Sequence, residues 1–255
     1  MGADAPDITD DAILNGRLRL LQPRRGHRFG HDAILLAAAV PAQVGERVLE
    51  LGAGVGAASL ALLSRVAGTV ATLIEIDPAL CALANENIAR NGLSERARAI
   101  ALDAEAPMQV FAKAGVTPGS FDHVLMNPPF NDGSHQPSTD ELRRRAHEGP
   151  SGLLAGWIGT ARELLGGAGQ VTLIWRAEGI DDVLTALHDG FGAISVIPIY
   201  PAPERLAIRV IVSALRGSDA PQRTLAGLTL NDRERRPTEE AEGVLRRGGA
   251  WPPRS

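Results

Sequence analysis

From Arg47 onward the chain alternates between two hydrophobic patterns. Short, nearly unbroken apolar runs at Arg47–Leu51, Val70–Ile76, Arg98–Leu102, Phe121–Met126, Gln170–Trp175, Ala193–Ile199 and Leu206–Ala214 predict buried strands. Between them, helical spacing predicts helices at Val55–Val66, Pro78–Asn91, Ser151–Leu165 and Asp181–His188. The second of these has clear ends: Asp77 stands at the N-cap, Pro78 at the first helical position and Gly92 just past the end. Gly166-Gly167 close the third. Upstream, Asn15-Gly16 followed by the alternation Arg17-Leu18-Arg19-Leu20 predicts a small hairpin within Ala12–Gln22, and Asp32–Val40 a short apolar helix stopped before Pro41. Repeated strand–helix units imply an α/β fold: a mostly parallel sheet with helices on both faces. The last two strands are close enough in sequence to pair antiparallel. Three regions follow: a tail and hairpin (1–31), the α/β body (32–216) and a charged tail (217–255), with Gly217–Gln222 as linker. Within that tail, Glu239–Leu245 is amphipathic. The tail is expected on the surface, able to close over a site.

Composition narrows the class. At 255 residues and 44% apolar content, the chain can bury a full core. Its net charge is −4, so contact with a polyanion requires a local basic patch. Every basic residue except Lys113 is arginine, which base composition of the genome explains. A lone cysteine, Cys81, excludes a disulfide scaffold and a multi-thiolate metal site, and its apolar helical setting predicts a buried, inert thiol. No apolar run reaches membrane-spanning length, and the acidic start MGADAPDITDD lacks the features of a secretory leader. These observations predict a soluble cytoplasmic protein without a metal.

The candidate chemistry begins after the first strand of the body. Glu50-Leu51-Gly52-Ala53-Gly54-Val55-Gly56 opens a helix, where glycines let a ligand touch the backbone and helix N–H groups are free. Glu75, at the end of the next strand, is placed to accept ribose hydroxyls. Gly52, Gly54 and Ala57 also satisfy the looser dinucleotide pattern, but a carboxylate at Glu50 would repel a pyrophosphate. It suits a ligand with an ammonium, such as the methionine part of S-adenosyl-L-methionine. Asp103, after the third strand, can accept from an adenine amino group. Read singly, Glu50 and Asp103 are ordinary strand-end charges; read with Glu75 in phase, they outline a nucleoside site, with Ala53, Ile76 and Ala104 as neighbouring contacts.

The fourth strand ends in Asn127-Pro128-Pro129-Phe130. Proline cannot continue a central strand, so the chain must leave the sheet here, at the edge where open α/β sheets hold ligands. A planar exocyclic amine is a poor nucleophile because its lone pair is delocalised. The Asn127 side-chain oxygen can accept one of its N–H groups and the Pro128 carbonyl the other. Both bonds strengthen as positive charge builds on nitrogen. Phe130 offers a stacking face. The bland alternative is a strand-terminating turn with a buried Phe.

Together these motifs resemble the class I S-adenosylmethionine-dependent methyltransferases with an Asn-Pro-Pro-aromatic signature. Within that class the chain is similar to the bacterial adenine-37 N6-methyltransferases of valine tRNA. Gly16–Pro23 with Phe29–Ala37, Arg143–Glu148, and Leu228–Leu230 with Pro237–Glu242 carry the closer likeness. The resemblance implies a Rossmann-like, seven-stranded sheet with its last strand antiparallel and a small N-terminal hairpin. It implies S-adenosyl-L-methionine as cofactor, held by Glu50, Gly52, Ala53, Gly54, Glu75, Ile76, Asp103, Ala104 and Asn127. It further implies Asn127, Pro128, Pro129 and Phe130 as the amine-holding loop, and tRNA as the partner. The chain departs from the family at Phe130, where tyrosine is frequent, and at Gly30, where serine or threonine is common.

Two basic segments flank this loop in sequence. Residues 17–31 hold Arg17, Arg19, Arg24, Arg25 and Arg28 without an acid, and Arg143, Arg144 and Arg145 follow the Asn-Pro-Pro-Phe turn. Both suit phosphates around a splayed base and read equally as solvated surface. Gly133 and Gly149 bracket a polar stretch expected to order over the substrate. The other acceptors compatible with these residues are a protein glutamine amide and a small molecule. A non-catalytic sensor would keep the glycine loop and tolerate loss of Asn127.

Overall fold

The computed structural model describes residues 7–25, 28–129 and 150–252. Phe130, Arg143, Arg144, Arg145 and the whole segment between Gly133 and Gly149 lie outside the described residues.

The hairpin comprises β1 (Ile8–Ile13) and β2 (Leu18–Pro23). Leu14, Asn15 and Gly16 turn the chain with φ of 50°, 54° and 82°. It begins four residues before the expected Ala12 and runs one past Gln22. The polar run Thr9-Asp10-Asp11 hides β1's alternation, and pairing to β2 supplies its order. The hairpin is clamped by two asparagines of α3 (Pro78–Arg90) and its C-cap. Asn87 accepts from the Leu21 N–H at 2.7 Å and donates to the Leu21 carbonyl at 2.9 Å. Asn91 does the same for Arg19, at 3.0 and 2.8 Å. Residues four apart on a helix thus meet residues two apart on a strand, standing in for a neighbouring strand. Asn87 is fully buried and also donates to Val55 in the glycine loop at 3.0 Å. Asn87→Ala leaves several shielded backbone groups unpaired, so unfolding free energy should fall by roughly 2–4 kcal/mol. A urea midpoint equal to that of the unmodified chain would remove this role.

The body runs α1 (His31–Ala39), β3 (Arg47–Leu51), α2 (Ala57–Arg65), β4 (Val70–Glu75), α3, β5 (Ala97–Ala101), α4 (Met108–Lys113), β6 (Phe121–Met126), α5 (Pro150–Leu164), β7 (Leu165–Arg176), α6 (Ile180–Leu187), β8 (Phe191–Tyr200) and β9 (Arg209–Arg216). Only α4 lacks a counterpart among the expected elements: six residues are too few to show a period. Among the described residues the sheet has nine strands, in the order β5-β4-β3-β6-β7-β9-β8, followed by β10 (Arg223–Thr224), with β11 (Leu228–Thr229) also on β8. All pairs are parallel except those of β9, which slots between β7 and β8 and runs against both. The seven expected strands are therefore present, and the tail adds two more.

Helices cover both faces, which is why the central strands are almost continuously apolar. On one face, α1 and α2 pack with the hairpin and with α7 (Glu239–Leu245); on the other lie α4, α5 and α6. The tail is not merely superficial. Its strands pair with β8, Ala241 and Val244 of α7 are buried, and the Trp251 N–H reaches the Ala38 carbonyl at 3.0 Å. Thr238 caps α7, accepting from the Ala241 N–H at 3.1 Å, and three glutamates fill its first turn. The charges of this stretch divide between the largely exposed loop 232–236 and the outer face of α7, whose Ala241 and Val244 face the core. Among the described residues no helix is long and apolar enough to cross a membrane.

Candidate active site

Register brings the two motifs together. Ile100, Ile74, Leu51, Met126 and Leu173 form one row across β5, β4, β3, β6 and β7. The next residues along each strand are therefore also level: Glu75, Gly52 and Asn127 stand side by side at the carboxyl edge. Neighbouring parallel strands lie about 4.8 Å apart, so Asn127 is roughly one strand from Gly52 and two from Glu75. Asn127 is half-buried, Pro128 buried and Pro129 exposed.

The glycine loop is built by backbone conformation. Gly52, Gly54 and Gly56 have φ of 67°, 54° and 88°, a region that side chains disfavour. Gly52 is constrained a second time. A Cβ there would lie 2.3 Å from Trp157 Cη2 on α5. Ligand approach is the only reason the sequence offers for this glycine; the indole of Trp157, 105 positions away, is a second that only the fold supplies. Gly52→Ala combines a strained φ with a clash against a packed indole, so it should destabilise the fold by roughly 2–4 kcal/mol. An unchanged thermal midpoint would show the loop to be more pliant. Helix α5 comes this close because its inner face is small: a Cβ on Gly156 would meet the Glu105 carboxylate at 2.5 Å, and the Thr160 hydroxyl donates to the Ala104 carbonyl at 2.8 Å.

Glu75 is buried and anchored at both oxygens: Oε2 accepts from the Gly54 N–H at 2.7 Å, and Oε1 from the Asp77 N–H at 2.9 Å. Each oxygen keeps a second lone pair, so acceptance from a ribose hydroxyl remains open to it. Ile76, next to it, is 52% exposed, an apolar face at the mouth of the site. Asp103 follows β5, and its Oδ1 accepts from the Glu105 N–H at 3.0 Å. Ala53 and Ala104 are buried alongside.

Glu50 is strongly perturbed. It is 3% exposed, and its Oε2 accepts from both the N–H and the hydroxyl of Ser59, the former at 3.0 Å. Burial pushes its carboxyl up to about 7, partly offset by the Ser59 bonds and assisted by the nearby Glu75. Among the described residues no cation pairs with it. A buried carboxylate without a counter-charge is costly, and an ammonium arriving from a ligand would relieve it. The residues present thus fit a ligand with an ammonium and a ribose. Ser59 has no sequence signal: nine positions from Glu50, it meets it only because α2 folds back over β3. Cys81 is buried and its thiol is pushed up by burial, then by Glu75.

The arginines of the hairpin are placed differently from expectation. No acid lies within 17–31, but β1 runs antiparallel to β2, and it and the residue before it supply three. Arg24 pairs with Asp7 at 2.7 Å, Arg28 with Asp11 at 3.1 Å and Arg19 with Asp10 at 3.1 Å. Arg90 of α3 also holds Asp10, at 2.7 Å; with Arg19 it keeps that carboxyl below the usual range. Arg25 is exposed. The described basic segment is largely charge-matched by its partner strand. Among the described residues no cluster of His, Cys, Asp or Glu has the makings of a metal site.

Glu75, Gly52 and Asn127 thus share the carboxyl edge of the sheet, the edge at which open α/β sheets take their ligands. Residues 28–197 match the model of the methyltransferase small domain, and the chain belongs to this family, whose methyl donor is S-adenosyl-L-methionine. It is 29% identical over 196 residues to a tRNA1(Val) (adenine(37)-N6)-methyltransferase of Shewanella amazonensis, covering 75% of this chain and 79% of that one. A relative of the same description from Bacteroides thetaiotaomicron is 31% identical over 166 residues, covering 64% and 65%. With the Shewanella putrefaciens relative, 30% identical, the match spans about half of each chain, 48%. Among solved structures, an Agrobacterium tumefaciens protein described as a predicted O-methyltransferase superimposes with a TM-score of 0.74 at 27% identity, covering 88% of this chain and 99% of that one.

Proposed function

We propose that this methyltransferase transfers a methyl group to the exocyclic N6 amine of an adenine in tRNA. The observation that carries the reading is the register row that sets Asn127 one strand from Gly52. When bound, S-adenosyl-L-methionine supplies a methyl on a positively charged sulfur. In this reading Glu50 faces the donor's ammonium, Glu75 its ribose, and Ile76 with Asp103 its base. Asn127 and the Pro128 carbonyl each accept one N–H of the acceptor amine, aim its lone pair at the donor, and bind more tightly as the nitrogen becomes positive. The role this reading gives Phe130 is that of a stacking face for the base. No general base is needed before attack, since the proton leaves afterwards.

Two acceptors in tandem fit an NH₂ group better than a hydroxyl, which has a single hydrogen to give. That favours nitrogen over oxygen, although one structural relative is described as an O-methyltransferase. The relatives described as tRNA1(Val) (adenine(37)-N6)-methyltransferases support RNA as acceptor. The test is transfer of labelled methyl from S-adenosyl-L-methionine to total tRNA, total protein and a small-molecule extract in parallel, followed by nucleoside analysis. The expected product is N6-methyladenosine in tRNA. Label confined to protein glutamine or to small molecules would overturn the reading.

A further inference from the structure

We propose that the sheet edge beyond Asn127 is the groove for the acceptor's backbone, with Arg176, Arg205 and Arg235 as phosphate contacts and a single-stranded RNA segment as occupant. The proposal deepens the acceptor reading above and rests on it. The candidate donor residues lie at the tips of β3, β4 and β5, so an acceptor reaching Asn127 on β6 extends over β7, β9, β8 and β11. Three segments rise from that stretch: the turn 177–179 after β7, the loop 201–208 between β8 and β9, and the loop 231–237 after β11. Thr229 is level with Tyr200, so residues after β11 project past the same edge as those after β8. Four strand steps of about 4.8 Å give a shelf roughly 19 Å long. That exceeds a single nucleoside and suits a few nucleotides of strand.

The acids of the two outer loops are matched, while Glu178, in the turn after β7, is exposed and forms no ion pair among the described residues. Glu204 is taken by Arg233 at 2.5 Å, a pair that joins the two outer loops; Asn231 adds a second link, donating to the Pro201 carbonyl at 3.0 Å. Asp232 and Glu234 are taken by Arg236. Arg205 and Arg235 are exposed and form no ion pair among the described residues. Their loops are held stiffly. Glu204 and Arg235 have φ of 62° and 64°, and Asp232 Oδ1 accepts from the N–H groups of Glu234 and Arg236 at 2.8 and 2.9 Å. Left-handed non-glycine residues are strained and persist where the surroundings fix them.

Nearest to Asn127, Arg176 lies about level with Pro129 and is the register partner of Arg209, which Asp32 holds at 2.9 Å. The Arg176 Nε is shielded from water and meets no acceptor. Arg176 keeps partial exposure elsewhere in the residue, and that part, not Nε, is what a phosphate can meet. Leu206, 90% exposed at the tip of its loop, gives a base an apolar surface to rest on.

The experiment compares the full chain with the charge-reversal double variant R205E/R235E and its conservative counterpart R205K/R235K, by binding to total tRNA across a salt series and by steady-state methylation. The reversal should weaken tRNA binding at least about tenfold and flatten the dependence of log affinity on log salt by roughly 1–2, as for two lost phosphate contacts. KM for tRNA should rise, while kcat and donor affinity stay as in the parent. The lysine variant should retain most of the affinity. If the parent methylates tRNA but the reversal binds with parental affinity and slope, this inference alone falls. If the parent transfers no methyl to RNA, the acceptor reading falls and takes the groove with it.

Discussion

Asn127→Ala should bind S-adenosyl-L-methionine as the parent does and transfer methyl groups roughly 30- to 1000-fold more slowly. The estimate is the loss of one preorganised acceptor aimed at a developing positive charge, about 2–4 kcal/mol of barrier. The side chain stands at the strand tip beside the glycine loop, outside the two hydrophobic clusters, so its removal should spare the fold. Calorimetry with the donor and single-turnover transfer separate the two readouts. A variant retaining full turnover would leave Asn127 as a turn residue and remove the proposed chemistry. Loss of donor binding together with turnover would instead assign it to the donor pocket.

Glu50→Gln should move stability and affinity in opposite directions. In the folded protein the carboxyl titrates near 7, against an ordinary value of 4.5. The folded-state value is the higher one, so the neutral form favours folding. Below about 4.5 the group is protonated in both states and exacts no penalty. As pH rises from 4.5 through 7 the folded state must ionise a buried carboxyl, and stability falls. Above 7 the loss levels off at roughly 3 kcal/mol. Glutamine stays neutral throughout, and its amide oxygen can still accept from Ser59. The variant should therefore melt near the parent at pH 4.5 and above it at pH 8.

Donor affinity should run the other way. The ammonium demands an ionised Glu50, so parental affinity should weaken as pH drops below about 7. The glutamine variant should lose that dependence, together with about a hundredfold in affinity or more. Thermal melts and donor titrations at matched pH values test both halves. A glutamine variant with parental affinity at pH 8 would remove Glu50 from the donor site.

Much of this was legible before any coordinates. The switch between apolar runs and helical spacing located the central strands, because a parallel sheet covered on both faces must be apolar throughout. Asp77-Pro78 and Gly92 bounded α3 because capping is a local matter of a few backbone groups. Gly52 and Asn127 announced themselves because each follows directly on an apolar strand. In every case the informative residues are neighbours in the chain.

What the tertiary structure alone decided involves residues far apart in sequence. The register that levels Glu75, Gly52 and Asn127 is set by how helices pack across parallel strands; no turn fixes it. Ser59 reaches Glu50, Trp157 presses on Gly52, and Asn87 ties the hairpin to the glycine loop, through contacts that leave no periodic trace. Asp7, Asp10 and Asp11 reach Arg24, Arg19 and Arg28 only after the hairpin closes, which matches most of an apparent basic patch. Strands β10 and β11 are two residues each, too short to carry a pattern, and form because β8 offers an edge. Local chemistry wrote the elements and their ends; only packing between distant segments chose which side chains meet.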